Sequence, residues 1–295
     1  MPNAHAQNPD PQSTSVPELP EVEHVRRRLS RAMQGDRIDR VELRRPDLRA
    51  PFPPDFVRRV AGQTINRITR RAKYLLVELS SGETLLMHLG MSGSFRIERP
   101  RRTETPGRFH YERSALDRHD HVVFDLASGV RIVFNDPRRF GHMAIVTKGA
   151  LDPAVGALGP EPLSPSFDAP TLAGAMRGKK TSLKLALMDQ AVVAGLGNIY
   201  VCEALHEARL SPKRRAATLV SRTGEPRETA VALVAAIRHV LQLAIRRQAR
   251  YRGDDDRFGV YDREGERCLR RGCSGIIRRI VQGGRSTFYC PVCQR

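Results

Sequence analysis

Residues 1 to 15 are polar and proline-rich and carry no apolar pattern, so residues 1–16 are expected to be a disordered extension. Periodicity starts directly after them. Pro20 suits a first helical turn, Glu21 and Glu23 suit its positive end, and Val22, Val25, Leu29 and Ala32 recur at helical spacing. From Val41 to Val146 the pattern changes to strands. Tyr74 to Leu79 and Thr84 to Met87 flank a Ser-Ser-Gly turn, and His121 to Leu126 and Val130 to Phe134 flank Ser128-Gly129, so each pair predicts a hairpin. Residues 98 to 118 are charged and read as an exposed loop. Residues 149–170 hold five prolines and read as a linker. Beyond it the spacing is helical. A short helix is expected over Ser182 to Met188, and another capped by Asn198 and running to about Glu207. A longer one carries the stripe Ala230, Leu233, Val234, Ile237, Val240, Leu241, Ala244 and Ile245 and ends at Arg246 and Arg247. The tail from Cys268 reads as a compact β-hairpin. No internal repeat is found. The fold class is therefore α+β and multidomain: a β-sandwich with a flanking helix over 17–148, a helical domain over 171–250 and a small hairpin module over 260–295.

Charge adds a partner class. Lys and Arg outnumber Asp and Glu by 50 to 32 in 295 residues, a formal net charge of +18. Such an excess suits a polyanion, whose neutralised phosphates release counterions. Charge alone leaves nucleic acid, anionic membrane and acidic protein open. No run of 18 or more apolar residues and no strongly amphipathic basic helix with aromatic anchors is present, which argues against a membrane partner. With no signal-peptide pattern, the expected compartment is the cytoplasm, or the nucleoid within it.

Four of the five cysteines lie in the last 28 residues. Cys268 and Cys273 are separated by four residues, Cys290 and Cys293 by two, and the 16 residues between the pairs read strand, Gly283-Gly284 turn, strand. That arrangement can place four thiolates tetrahedrally around one Zn²⁺. The competing readings are two disulfides or four free thiols, and the compartment argues for zinc. Metal binding would supply much of the folding energy of so small a module. Cys202, in the helical segment, reads as a buried thiol. From Cys268 onward there are six Arg and no acid, which suits phosphate contact.

The segment Val16-Pro-Glu-Leu-Pro-Glu-Val-Glu23 resembles the amino-terminal signature of the formamidopyrimidine-DNA glycosylase family, whose mature chains begin at that proline. The resemblance runs on through Arg70-Arg-Ala-Lys-Tyr-Leu75, His88-Leu-Gly-Met-Ser-Gly93, His119-Asp-His121, Asp136-Pro-Arg-Arg-Phe-Gly141 and Leu158-Gly-Pro-Glu-Pro-Leu163. It continues in Lys179-Lys-Thr181, Gly195-Leu-Gly-Asn-Ile-Tyr200 and Arg285-Ser-Thr-Phe-Tyr-Cys290. It implies a β-sandwich joined to a helix–two-turns–helix domain and a zinc finger, acting on damaged double-stranded DNA; a monomer is the default expectation, since one clamp on one lesion needs no partner. It implies a bifunctional glycosylase and lyase that removes formamidopyrimidines and 8-oxoguanine in base-excision repair. Pro17 would be the amine nucleophile, with an α-amine pKa of roughly 8. Its attack on C1′ expels the base and leaves an iminium, which acidifies the C2′ proton for elimination. Glu18 would be the proton donor that opens the sugar, Lys73 the donor in the first elimination and Arg285 in the second. Lys73 and Arg285 could equally clamp phosphates. Met91, Arg138 and Phe140 would fill the gap left by the everted base, and His119, Arg139, Lys179, Lys180 and Asn198 would contact DNA. On residue type alone Met91 and Phe140 read as core, and His119 with His121 could form a metal pair on one face of a strand, which the four cysteines make unnecessary.

The sequence departs from the family pattern twice. Pro17 is not at the encoded terminus, and an internal proline nitrogen is an amide without nucleophilicity. Val16 is therefore read as the true start, since a GTG codon initiates with methionine, whose removal exposes Pro17. The segment Gln248 to Val260 is shorter than the family's stretch that closes over an everted purine, which brings in an oxidised-pyrimidine specificity of the endonuclease VIII type as an alternative. An alternative of a different class is a non-catalytic zinc-containing nucleic-acid binder, which would have no use for Pro17, Glu18 and Lys73.

Overall fold

A computed structural model of the chain describes residues 16–107, 114, 116–150, 152–249 and 258–295. The expected amino-terminal extension lies outside this set apart from Val16, as does the 250–257 part of the shortened segment.

Helix α1 (Leu19–Met33) starts as its sequence predicts, with Pro20 in the first turn. The Glu21 carboxylate reaches back to accept from the Glu18 backbone N–H at 2.9 Å. Then follow β1 (Ile38–Leu43), α2 (Phe56–Val60), β2 (Ile65–Arg71), β3 (Tyr74–Leu79), β4 (Thr84–His88), β5 (Ser94–Arg99) and β6 (Arg102–Glu104). Strands β7 (Asp120–Leu126), β8 (Arg131–Asn135) and β9 (His142–Val146) complete two antiparallel sheets, ordered β1-β7-β8-β5-β6 and β2-β3-β4-β9. Both expected hairpins form, β3 with β4 and β7 with β8. Strand β3 alternates buried and half-buried residues, the period-2 signature of a sheet with one face on a core. That core is apolar and aromatic: Leu75, Val77, Phe95, Ile97, Phe124 and Phe134 from the sheets meet Val22, Val25 and Leu29 of α1.

Two expectations for this half need correction. The region expected to be strands also contains α2, which buries Phe56 and Val60. The 98–118 stretch is not wholly a loop, because β6 pairs with β5.

The proline-rich segment is more ordered than its composition suggests. Helix α3 (Pro153–Gly156) is capped by Asp152, whose Oδ1 accepts from Ala154 N at 2.9 Å, and Phe167 is completely buried. Helices α4 (Ala169–Met176), α5 (Leu183–Met188), α6 (Asn198–Glu207) and α7 (Glu228–Ala249) follow. By length and hydropathy α7 could cross a membrane, but Ala230, Leu233, Val234, Ile237 and Leu241 are buried in the helical core. Strands β10 (Arg278–Gln282) and β11 (Arg285–Tyr289) form the terminal hairpin. Ile277, Phe288 and Cys290 belong to the same core as Val201 and Leu205 of α6, so this module is packed on the helical domain and is not free-standing. Leu19 joins that core too, whereas Val22 joins the sandwich core, so one turn of α1 fastens the halves together.

Candidate functional site

The site forms where α1, α6 and the terminal hairpin meet. Gly195 (φ +87°) and Gly197 open α6, and a Cβ on Gly197 would lie 2.4 Å from the Glu18 carboxyl carbon. Only glycine lets the carboxylate approach so closely. Glu18 is 2% exposed, and its Oε1 accepts from Ile199 N at 2.8 Å and its Oε2 from Tyr200 N at 3.3 Å. It thus occupies the positive end of α6. Burial raises its pKa, while Lys73 and the backbone donors hold that rise in check. Behind it, Tyr200 donates its hydroxyl to Glu21 Oε1 at 2.6 Å, and burial pushes Glu21 up to about 7. Pro17, also buried, precedes this pair.

Lys73 sits in the two-residue turn between β2 and β3, where Ala72 takes φ 52°. The turn is held from outside the sandwich: the Glu161 carboxylate accepts from Ala72 N, from Arg70 at 3.0 Å and from Arg71 at 3.3 Å. Burial lowers the Lys73 pKa, the Glu18 carboxylate opposes that shift, and the Arg285 guanidinium adds to it. Arg285 opens β11, directly after the Gly283-Gly284 turn. The carbonyl of the next residue, Ser286, accepts from Asn198 Nδ2 at 2.9 Å and from Lys184 Nζ at 3.3 Å, and Lys184 also donates to Thr287 Oγ1 at 2.6 Å. Asn198 is therefore not the helix cap, a position taken by Gly197. Its side chain faces the hairpin because Glu18 already satisfies the first N–H groups of α6.

The expected wedge residues lie on two loops that interlock. A Cβ on Gly90 would meet the Phe140 carbonyl at 2.3 Å, which holds the Met91 loop against the Arg138–Phe140 loop. Arg138 donates its N–H to Ser92 Oγ at 3.0 Å, and its guanidinium lies 5.0 Å over the Phe140 ring. Phe140 is 41% exposed and Met91 half-buried, so neither is a core residue. Arg139 takes φ 57° and faces Asp47 at 3.5 Å. His119 lies in a 3-10 turn with Nδ1 2.9 Å from Ser114 Oγ, whereas His121 is buried on β7 with Nε2 2.8 Å from the Asp136 carbonyl. The two rings do not share a face of a strand, because the turn rotates His119 out of it. Lys179 and Lys180 follow α4, Lys179 half-buried 3.8 Å from Asp189 and Lys180 exposed, on a different element from Glu18 and Lys73.

All four expected metal ligands come together. The sulfurs of Cys268, Cys273, Cys290 and Cys293 lie within 4.8 Å of one another, with 3.9 Å between Cys268 and Cys293 and 3.6 Å between Cys273 and Cys290. Tetrahedral zinc with bonds of about 2.3 Å spaces its sulfurs about 3.8 Å apart. The cage fits one structural Zn²⁺. Gly275 permits it, since a Cβ there would lie 2.5 Å from Cys290 Sγ. Cys202 is buried in α6, its thiol pushed up to about 12, and is no ligand.

Three family models cover this architecture in order: the formamidopyrimidine-DNA glycosylase N-terminal domain over 16–143, the H2TH domain of the same enzyme over 158–253, and a zinc finger found in FPG and IleRS over 265–295. The chain belongs to the formamidopyrimidine-DNA glycosylase family. The enzyme of that name from Bradyrhizobium sp. ORS 278 is 58% identical over 293 residues, covering 95% of this chain and all of the relative. Its counterpart from Rhodopseudomonas palustris BisA53 is 57% identical with the same coverage. Among solved structures, the MutM (Fpg) protein of Thermus thermophilus superposes with a TM-score of 0.76 at 35% identity, covering 94% of this chain and 98% of that one. Lactococcus lactis Fpg, non-covalently bound to DNA containing an abasic site, gives 0.79 at 31%, covering 95% and 100%. The chain is thus a DNA-repair glycosylase of the Fpg fold with a structural zinc finger.

Sequence reasoning missed Glu21, Tyr200, Lys184 and Glu161, each of which buttresses the site. It also gave His88 no role, although the ring lies in the field of Lys73 and burial lowers its pKa to about 4. Glu161 and His88 stood inside matched motifs. Lys184 carried no signal beyond its place in an apolar helix.

Proposed function

We propose that this family member removes oxidised purines from duplex DNA and then cleaves the strand through a Schiff base on the amine of Pro17. The observation that carries the reading is the meeting of a buried carboxylate (Glu18), a lysine of lowered pKa (Lys73) and an arginine (Arg285) drawn from separate parts of the chain. Attack of the Pro17 nitrogen on C1′ breaks the glycosidic bond, and Glu18 gives a proton to the sugar oxygen as the ring opens. The resulting iminium withdraws electrons from C2′. Loss of that proton expels the 3′ phosphate, and a second elimination expels the 5′ phosphate. Lys73, its pKa lowered by burial, is the residue assigned to proton transfer in the first elimination. Arg285, whose planar guanidinium matches phosphate geometry, steadies the departing phosphate.

Met91, Arg138 and Phe140 would fill the space of the everted base, with His119, Arg139, Lys179, Lys180 and Asn198 along the backbone. The partner in this reading is damaged double-stranded DNA in the bacterial cytoplasm, bound by one monomer. Solved relatives support the substrate class: Lactococcus lactis Fpg has been seen on DNA holding an abasic site, and a mutant of it on DNA holding Fapy-dG. The reading requires Pro17 at the amino terminus, through initiation at Val16. The family match starts at residue 16, and 95% of this chain spans the full length of the Bradyrhizobium relative.

Borohydride, which reduces an iminium, tests the whole scheme. Chains starting at Met1 and at Pro17 are mixed with duplex DNA carrying 8-oxoguanine opposite cytosine. A covalent complex with the Pro17 chain alone is expected. Trapping only on an oxidised pyrimidine would replace the purine specificity, and trapping on no lesion or abasic site would overturn the catalytic reading.

A further inference from the structure

The carboxyl end of α6 makes a contact that the glycosylase chemistry does not use. His206 is buried, in the last turn of α6, on the side where that helix packs against the zinc module. Its Nε2 lies 3.4 Å from Cys268 Sγ, itself buried. The other edge of the ring is closed in, since a Cβ on Gly259 would stand 2.9 Å from Nδ1. The ring is therefore boxed between backbone and sulfur, in a core whose neighbouring positions, Leu205 and Val201, are apolar. A polar ring in such a place costs free energy unless it is hydrogen-bonded.

We infer that His206 is a positioning residue of the zinc centre, donating Nε2–H to the Cys268 thiolate and thereby fixing that ligand to α6. The direction of the bond follows from chemistry. A zinc-bound thiolate has lost its proton and can only accept, so the ring nitrogen must donate. Four thiolates around Zn²⁺ leave a net charge of −2, and a buried donor aimed at one sulfur offsets part of it. A second bond clamps the same joint. Arg270, two residues beyond Cys268, donates to the carbonyls of His206 at 2.6 Å and Glu207 at 3.2 Å, at the negative end of the helix.

The geometry gives α6 a task at each end. Its first N–H groups hold Glu18, Asn198 holds the strand that carries Arg285, and its last turn holds the metal cage. Ten residues of helix, about 15 Å, separate the two ends. The zinc cage thereby anchors the helix on which the carboxylate rests.

The full chain, loaded with cadmium or cobalt in place of zinc, tests this. In the cadmium form, the proton on His206 Nε2 is expected to show scalar coupling to the metal through Sγ, a signal that requires the hydrogen bond and no variant. In the cobalt form, His206→Phe keeps the ring's bulk and removes the donor. It should move the thiolate-to-cobalt charge-transfer band while the tetrahedral d–d bands stay. His206→Gln, which can donate, should move the band back. In competition with a chromogenic chelator, His206→Phe should lose zinc affinity roughly 10–100-fold. Absence of the coupling, or a charge-transfer band that stays in place in His206→Phe, would overturn the inference even if chelation were faster, because faster release alone would mark a packing role.

Discussion

The two cores of this molecule are built on opposite terms. Between its sheets the sandwich core is apolar, from Val22 and Leu29 of α1 to Phe95, Phe124 and Phe134, and the buried polar residues Asp120, His121, Asn135 and Asp136 are confined to the start of β7 and the end of β8. The region around α6 buries Glu18, Glu21, Lys184 and His206 instead. Each of these is bonded: Glu18 to two backbone N–H groups, Glu21 to Tyr200, Lys184 to Thr287, His206 to Cys268. Buried charges are weak contributors to stability even when paired. What they gain here is position, since every one holds an element that carries a site residue or a metal ligand. The sandwich supplies rigidity, and the α6 region uses it.

The comparison is broken most sharply by Glu18→Gln. The amide keeps one acceptor for Ile199 or Tyr200 but cannot give up a proton as a carboxylic acid does. Single-turnover excision should fall roughly 10²–10⁴-fold. The melting temperature should hold or rise, because a desolvated carboxylate has been removed. A large loss of stability would mean that Glu18 is structural and the contrast false.

Next in size is the converse change, Phe134→Ala. Phe134 is 1% exposed and packs on Phe95 with ring centroids 5.2 Å apart. Truncation should cost about 3–5 kcal/mol, read by denaturant unfolding. Excision per folded molecule should stay within a few-fold, as Phe134 faces the core. Loss of activity at full stability would reverse the roles given to the two regions.

The same contrast governs what was legible in the sequence. The sandwich hairpins were read from alternation, and the zinc hairpin from Cys268, Cys273, Cys290, Cys293 and the Gly283-Gly284 turn. These signals are local. Phe167 was hidden because a proline-rich segment reads as linker, although one aromatic side chain suffices to pin it. The cap assigned to Asn198 failed for a long-range reason: Glu18, 181 residues from Ile199 in sequence, reached the helix end first. Glu18, Lys73 and Arg285 were found only through family resemblance, since nothing in their spacing brings them together. Glu21 was read only as an acid at the positive end of α1, and Lys184 and His206 escaped notice because a charged or polar residue in a periodic pattern is assigned to the surface until its partner is known.

The finest probe of the contrast is pH. Glu21 ionises at 4.5 in the unfolded chain and at about 7 in the fold, held up chiefly by burial. Between these values the native state retains a proton that the unfolded state has lost, so stability falls as pH rises through the window and levels off above it. A shift of this size corresponds to about 3 kcal/mol at most. His88, lowered by burial to about 4, tilts the curve the other way below pH 6.5, so the Glu21 share is read as a difference: from pH 4.5 to 7.5 the parent should lose up to that share of unfolding free energy relative to Glu21→Gln. Phe134 is not ionisable and lies in the other core, so Phe134→Ala should lower the whole curve without tilting it. A tilt in Phe134→Ala, or an unchanged slope in Glu21→Gln, would locate the pH dependence outside the α6 region.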